Sequence, residues 1–197
     1  MRMLANQAKV DSMQIGGGDL DGVSMERVKQ AAETLGKLPI TIDDSSALSL
    51  IELSHRVKKA HMRNKCEVLF VDHLGKLARY PGAESEFDNI SQNVAGLKNL
   101  AKDINIPVVL LIQLNRDVER RKVPLPMMSD LRGSGRIEEE ADVIMMLYRA
   151  SYYDKSDDGT TEILIEKNRD GKTGKVEIVF VPQYASFADK ADDEKLF

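Results

Sequence analysis

Apolar residues at positions 87, 90, 94, 97, 100 or 101, and 104 (Phe87, Ile90, Val94, Leu97, Leu100 or Ala101, Ile104) recur at three- and four-residue spacing. That period lays one apolar stripe along a long helix, which Pro107 brings to an end. Two further helices are predicted upstream. "SMERVKQAAETLGKL" has Ser24 placed to cap it and Gly36 to stop it, and "LIELSHRVKKAHMRN" follows Ser49, with Glu52 three residues on completing a capping-box pattern. Elsewhere the pattern is that of strands: "LPITIDD", "CEVLFVD", "VVLLI", "ADVIMMLYR", and finally "TEILIEKNR" and "GKVEIVFV" separated by a glycine-bearing turn. The opening, Met1 to Asp21, is weakly periodic and carries the run "IGGGDLDG", which reads as a loop after a helix whose beginning lies upstream of Met1.

Helices alternating with continuous apolar strands predict an α/β fold, a mostly parallel sheet with helices on both faces, closed at one edge by a C-terminal β-hairpin. Two successive strands end on polar side chains, Asp72 and Gln113. In such sheets ligands bind outside the carboxyl ends of the strands, and an Asp there suits Mg²⁺ held against a nucleotide phosphate. The simpler reading of Asp72, a solvated residue starting a turn, is also open on the strand alone.

At 197 residues the chain fits one medium domain, and 42% hydrophobic with 30% charged residues is ordinary globular composition. No apolar run approaches the ~20 residues that cross a bilayer, and the N-terminus lacks the apolar core of a signal peptide. A cytoplasmic protein with no membrane partner is expected. The single cysteine, Cys66, excludes an internal disulfide and reads as a small core residue. A net charge of −4 argues against a uniformly basic coat. Locally, however, Arg116, Arg120, Arg121, Lys122, Arg132 and Arg136 outnumber Asp117, Glu119 and Asp130.

Among candidate motifs, "GKTG" at Gly171 to Gly174 is not a P-loop, because the glycine required five positions earlier is Glu166 and the segment runs from strand to strand. Lys167 and Arg169, two apart where a strand meets its turn, share a face. Such a pair is either a solvated rim or a site. His55, His61 and His73 show no metal-ligand spacing and read as structural or solvated.

Taken in order, "LFVDHLGKL", "ISQNVAGLKNLAKDINIPVVLLIQLNR", "SDLRGSGRIEEEADVIMMLYR" and "EKNRDGKTGKVEIVF" resemble the C-terminal motor domain of DnaB-type replicative DNA helicases. "MRMLANQAKV", "DGVSMERV" and "ITIDDSSALS" are similar to its intervening segments, so the resemblance spans essentially the whole chain. It implies a single RecA-like motor domain over 1–197, partial in that the first strand, the P-loop and the strand bearing the catalytic Glu would precede Met1.

The resemblance further implies an ATP-dependent helicase that assembles as a hexameric ring on single-stranded DNA, with ATP and Mg²⁺ bound between subunits. Asp72 then matches the acid on Mg²⁺, and Gln113 the sensor linking phosphate state to the DNA loop. Lys167 and Arg169 match the pair reaching a neighbour's γ-phosphate. Arg132, Gly133 and Gly135 match the loop that grips the DNA backbone, with Arg136 as an added cation. His73 and Gly75 stand where the family has Tyr and Gln, and Gly133 where an acid is common. With its nucleotide site incomplete, the isolated chain is expected to be inactive. The alternative is a non-hydrolysing helicase-like protein that joins or inhibits a full-length ring.

Overall fold

The computed structural model describes residues 1–63, 65–131, 133–153 and 159–190. Helices α1 (Arg2–Ala8), α2 (Ser12–Gly17), α3 (Gly22–Gly36) and α4 (Leu50–His61) precede strand β1 (Leu69–Val71). Then come α5 (Glu86–Ile104), β2 (Val108–Leu110), α6 (Ser134–Glu140), β3 (Val143–Tyr148), β4 (Thr160–Asn168), β5 (Gly174–Val181) and β6 (Ser186–Asp189). Strands β1 and β2 form a parallel pair, with Val71 opposite Leu110. The other four form a sheet in the order β3-β4-β5-β6.

The chain divides into two compact units, one holding residues 1–41, 147–164 and the chain from 175, the other residues 42–146 and 165–174. In the first, small residues let helices approach closely: Ala8, Val10 and Ala31 form a buried cluster joined by Leu4, Ile15, Leu20 and Val28. The expected loop at residues 15–22 follows helical segments, α1 and α2, but α2 runs into it as far as Gly17, leaving residues 18–21 as the loop. Asp11 and Asp21 cap α2 and α3, each accepting a bond from a backbone N–H of the first turn. The cap of α3 is Asp21, whose carboxylate accepts from Ser24 N at 2.6 Å. Ser24 is thus a residue of the first turn.

The second unit is organised by α4 and α5. Both halves of the capping box form at Ser49 and Glu52. Helix α5 is capped by Ser85 and buries Ile90, Val94, Leu97 and Leu100 of the predicted stripe together with Asn93, while Ile104 is half-buried and Phe87 is exposed. Val57, Leu100 and Ile106 form its core, with Leu53, Cys66, Leu69 and Ile104 packed against them. Gly96 makes room for this packing, since a Cβ there would lie 2.0 Å from Leu50 Cδ2. Residues 38–44, expected as a strand, form none among the described residues: Ile40 N donates to Leu38 O at 2.8 Å in a tight turn, and Leu38, Ile40 and Ile42 are exposed. An apolar alternation makes a strand only where a neighbour accepts its ladder of hydrogen bonds.

Candidate nucleotide and nucleic-acid site

Strand β1 ends where Asp72 begins, and the next connection is a 3-10 turn, Leu74–Lys76, held by Leu74 N donating to Leu111 O at 3.0 Å. Leu111 N in turn donates to Val71 O at 3.0 Å, so the register of the parallel pair continues past β2. Asp72 is thereby level with Leu111, and Gln113 lies two residues further on. The fold brings these two predicted residues to the carboxyl edge of adjacent parallel strands, both exposed to solvent. The Asp72–His73 peptide is cis, and His73 Nδ1 accepts from Gly75 N at 3.2 Å.

The donor set around Asp72 bears on Mg²⁺. Among the described residues no three His, Cys, Asp or Glu side chains gather into a metal site. One exposed carboxylate fits an ion that keeps its waters and is held mainly by nucleotide phosphates, as Mg²⁺ commonly is. Asp72 is the residue that would hold it.

Residues 114–131 form a loop closed at its base. Leu114 pairs with Leu131 in an isolated antiparallel bridge, and Asn115 N donates to Asp130 O at 2.9 Å. Inside it, both terminal nitrogens of Arg121 donate to the buried carboxylate of Asp130, which also accepts from Met127 N at 2.8 Å. The Arg121 guanidinium holds the Asp130 carboxyl below its ordinary range, burial opposing it and the Met127 amide assisting. The staple leaves Arg116, Arg120 and Lys122 exposed.

Gly133 follows with φ 74° and ψ 33°, the N-cap of α6. Arg132 lies outside the described residues. Gly135 is exposed in the first turn of α6, and Arg136 is paired with Glu139 at 2.9 Å and Glu140 at 2.7 Å. The predicted extra cation is therefore largely neutralised within its own helix.

At the other end of α6, Lys167 near the end of β4 donates through Nζ to Glu138 O at 2.5 Å and Glu139 O at 3.5 Å. A cation suits these carbonyls, which have no intrahelical donors and carry the negative end of the helix dipole. Arg169 follows directly. Its backbone N donates to Asp142 O at 2.9 Å, and its Nη1 forms an ion pair with Asp142 Oδ1 at 3.0 Å. Asp142 also receives Lys98 of α5 at 2.5 Å on Oδ2. Lys98 first, then Arg169 and Lys167, draw the Asp142 carboxyl below its ordinary range against the cost of partial burial. Sequence reasoning identified Lys167 and Arg169 as sharing a face, and both reach residues 138–142. It missed Lys98 and Asp142, although an acid standing immediately before a buried strand, "ADVIMM", was a usable signal.

A parallel pair with a polar carboxyl edge, helices beside it and a strand-turn-strand of β4 and β5 make up an α/β fold of the RecA-like class. Comparison with known proteins gives the family. The DnaB-like helicase C-terminal domain description matches residues 1–189, and the chain belongs to that family. It is 37% identical over 204 residues to the replicative DNA helicase DnaB of Pasteurella multocida, covering 100% of this chain and 43% of that protein. With the Rickettsia typhi DnaB it shares 33% identity over 207 residues, covering 95% of this chain and 42% of that protein. The chain thus spans less than half the length of these curated relatives. Among solved structures, a DnaB-like replicative helicase described with its primase interactions superposes with a TM-score of 0.91 at 30% identity, covering 96% of this chain and 47% of that one. A second solved structure, described as an ATPase domain, gives 0.90 at 30% identity, covering 96% of this chain and 69% of that one. No helix among the described residues is long and apolar enough to cross a membrane.

Proposed function

We propose that this chain is part of the motor of a hexameric replicative helicase that couples ATP hydrolysis to movement along single-stranded DNA and duplex unwinding in the cytoplasm. The observation that carries this reading is the cation pair at the end of β4: Lys167 and Arg169 are fixed to the 138–142 segment while the Arg169 side chain stays 53% exposed. A delocalised guanidinium on a protein rim is suited to the charge that spreads over phosphoryl oxygens in the transition state. In this role the pair acts on nucleotide held by a neighbouring subunit. Asp72 contributes its carboxylate to the Mg²⁺ that accompanies ATP, which supplies charge neutralisation at the phosphates, and Gln113 beside it senses their state.

The loop through Arg132, Gly133, Gly135 and Arg136 contacts the DNA backbone without reading bases. Because Arg136 already has acidic partners, its own contribution is expected to be small. In anisotropy titrations with oligo-dT, affinity should fall steeply with salt as counterions are released. Salt-insensitive binding, or binding indifferent to Arg132→Ala, would remove the loop from this role.

The decisive test of the motor reading mixes the chain with a full-length relative whose own arginine aligned with Arg169 has been changed to Ala. Mixed rings, detected by mass photometry, should regain ATPase activity. Rings containing the Arg169→Ala chain should assemble equally and stay inactive, because the residue acts on transition-state charge. Absence of mixed rings, or equal activity from both chains, would overturn the assignment. The same experiment separates the second reading, a non-hydrolysing protein that inhibits a ring, since that protein would lower the ATPase of an unmodified relative.

A further inference from the structure

The geometry points to Asp142 as a positioning residue that aims the Arg169 guanidinium, an inference that rests on the role proposed above for Arg169. Its two carboxylate oxygens face different ways in function. Oδ2 is tied to Lys98, whose side chain is only 15% exposed and which projects from α5 beside the buried Leu97 and Leu100. Oδ1 is ion-paired with Arg169 Nη1, and the Asp142 carbonyl accepts from the Arg169 backbone N–H. Asp142 therefore ties an arginine at a strand end to the most deeply packed helix of its unit.

A free arginine on a turn samples many rotamers, and each must be given up before the guanidinium meets a phosphate. Anchoring one nitrogen in advance removes part of that loss and leaves the rest of the fork to reach outward. The anchor does not cancel the attraction for an anion. Three cations, Lys98, Lys167 and Arg169, act on the one carboxylate of Asp142.

The test uses the mixed rings described above, with ATPase read as kcat and KM for ATP and thermal stability followed alongside. Asp142→Asn, which keeps shape and removes charge, should lower kcat by about ten-fold with KM within about two-fold, the pattern of a misdirected group. Lys98→Met should act in the same direction more weakly. In an Arg169→Lys chain, which lacks the fork, adding Asp142→Asn should cost less than about two-fold more. An undiminished or raised kcat in Asp142→Asn, while Arg169→Ala abolishes activity, would overturn the inference and leave the motor reading standing. A full ten-fold loss in the Arg169→Lys background would also overturn it, showing that Asp142 serves packing. If Arg169→Ala is itself without effect, it is the motor reading that fails.

Discussion

Gly133 offers a perturbation whose cost can be worked from its geometry. Its φ of 74° lies in the left-handed region, which an L-residue enters at about 1–2 kcal/mol. A Cβ built there would stand 2.8 Å from Ile90 Cγ2, with Ile90 Cβ at 3.4 Å and Cδ1 at 3.6 Å. Ile90 is buried on α5, so it has little room to withdraw, and overpacking of this kind costs about 1–3 kcal/mol. Gly133→Ala should therefore destabilise by about 2–5 kcal/mol, a large part of the stability of an ordinary domain.

The two contributions separate in a double-mutant cycle read by urea unfolding. Ile90→Ala alone should cost about 2–5 kcal/mol through the cavity it opens. Combined with Gly133→Ala it relieves the clash but not the backbone strain, so the pair should cost about 1–2 kcal/mol less than the sum. Gly133→Asn, whose side chain tolerates a positive φ, should sit nearer neutrality than Ala once Ile90 is truncated. Costs that add within about 0.5 kcal/mol, or a Gly133→Ala chain as stable as the wild type, would refute the close approach of the loop to α5.

Leu100, 2% exposed at the centre of its cluster, should cost about 2–5 kcal/mol when changed to Ala, with a matching loss in chemical denaturation. Asp130 has a folded pKa below its ordinary 3.8, so the unfolded chain binds its proton more readily; the stability it contributes is present above that value and lost as pH falls through the folded one. Asp130→Asn should accordingly narrow the stability difference between about pH 6 and about pH 3, and an unchanged difference would contradict the ion pair with Arg121. The chain alone should release no phosphate from ATP in a malachite-green assay, having no P-loop in its sequence. The exposed Phe70 and Met145 should make it bind ANS, and Phe70→Glu should weaken that signal; a chain that leaves the dye dark would not present these faces to solvent.

What was legible in the sequence was local. The Ser49–Glu52 box and the stripe on α5 depend on residues three or four apart, and both form. Polar ends on two adjacent strands were enough to bring Asp72 and Gln113 to one edge. The capping of α3 was misplaced by three residues because Ser24 and Asp21 are both good caps and only the backbone turn decides between them. Helices α1 and α2 are too short to repeat a period, so the helix expected ahead of the glycine run could not be resolved into two. The Arg121–Asp130 pair and the Lys98–Asp142–Arg169 cluster join residues nine to 71 positions apart, spacings that no local rule encodes.

The strands pose the sharper contrast. "VVLLI" and "ADVIMMLYR" have the continuous apolar character of strands covered on both faces. In the structure burial alternates instead: Ile144 and Met146 are buried, while Val143, Met145 and Leu147 between them are exposed, and Phe70 and Val109 are exposed opposite each other in β1 and β2. A strand with one wet face ordinarily carries polar residues there, because apolar side chains in water gain nothing from the sheet and invite association. The composition of these strands therefore corresponds to more cover than the described residues provide. The same holds for Ile40 and Ile42, exposed and alternating along a segment that forms no strand among the described residues. Alternation of burial within an unbroken apolar strand thus marks surface that the sequence treats as interior.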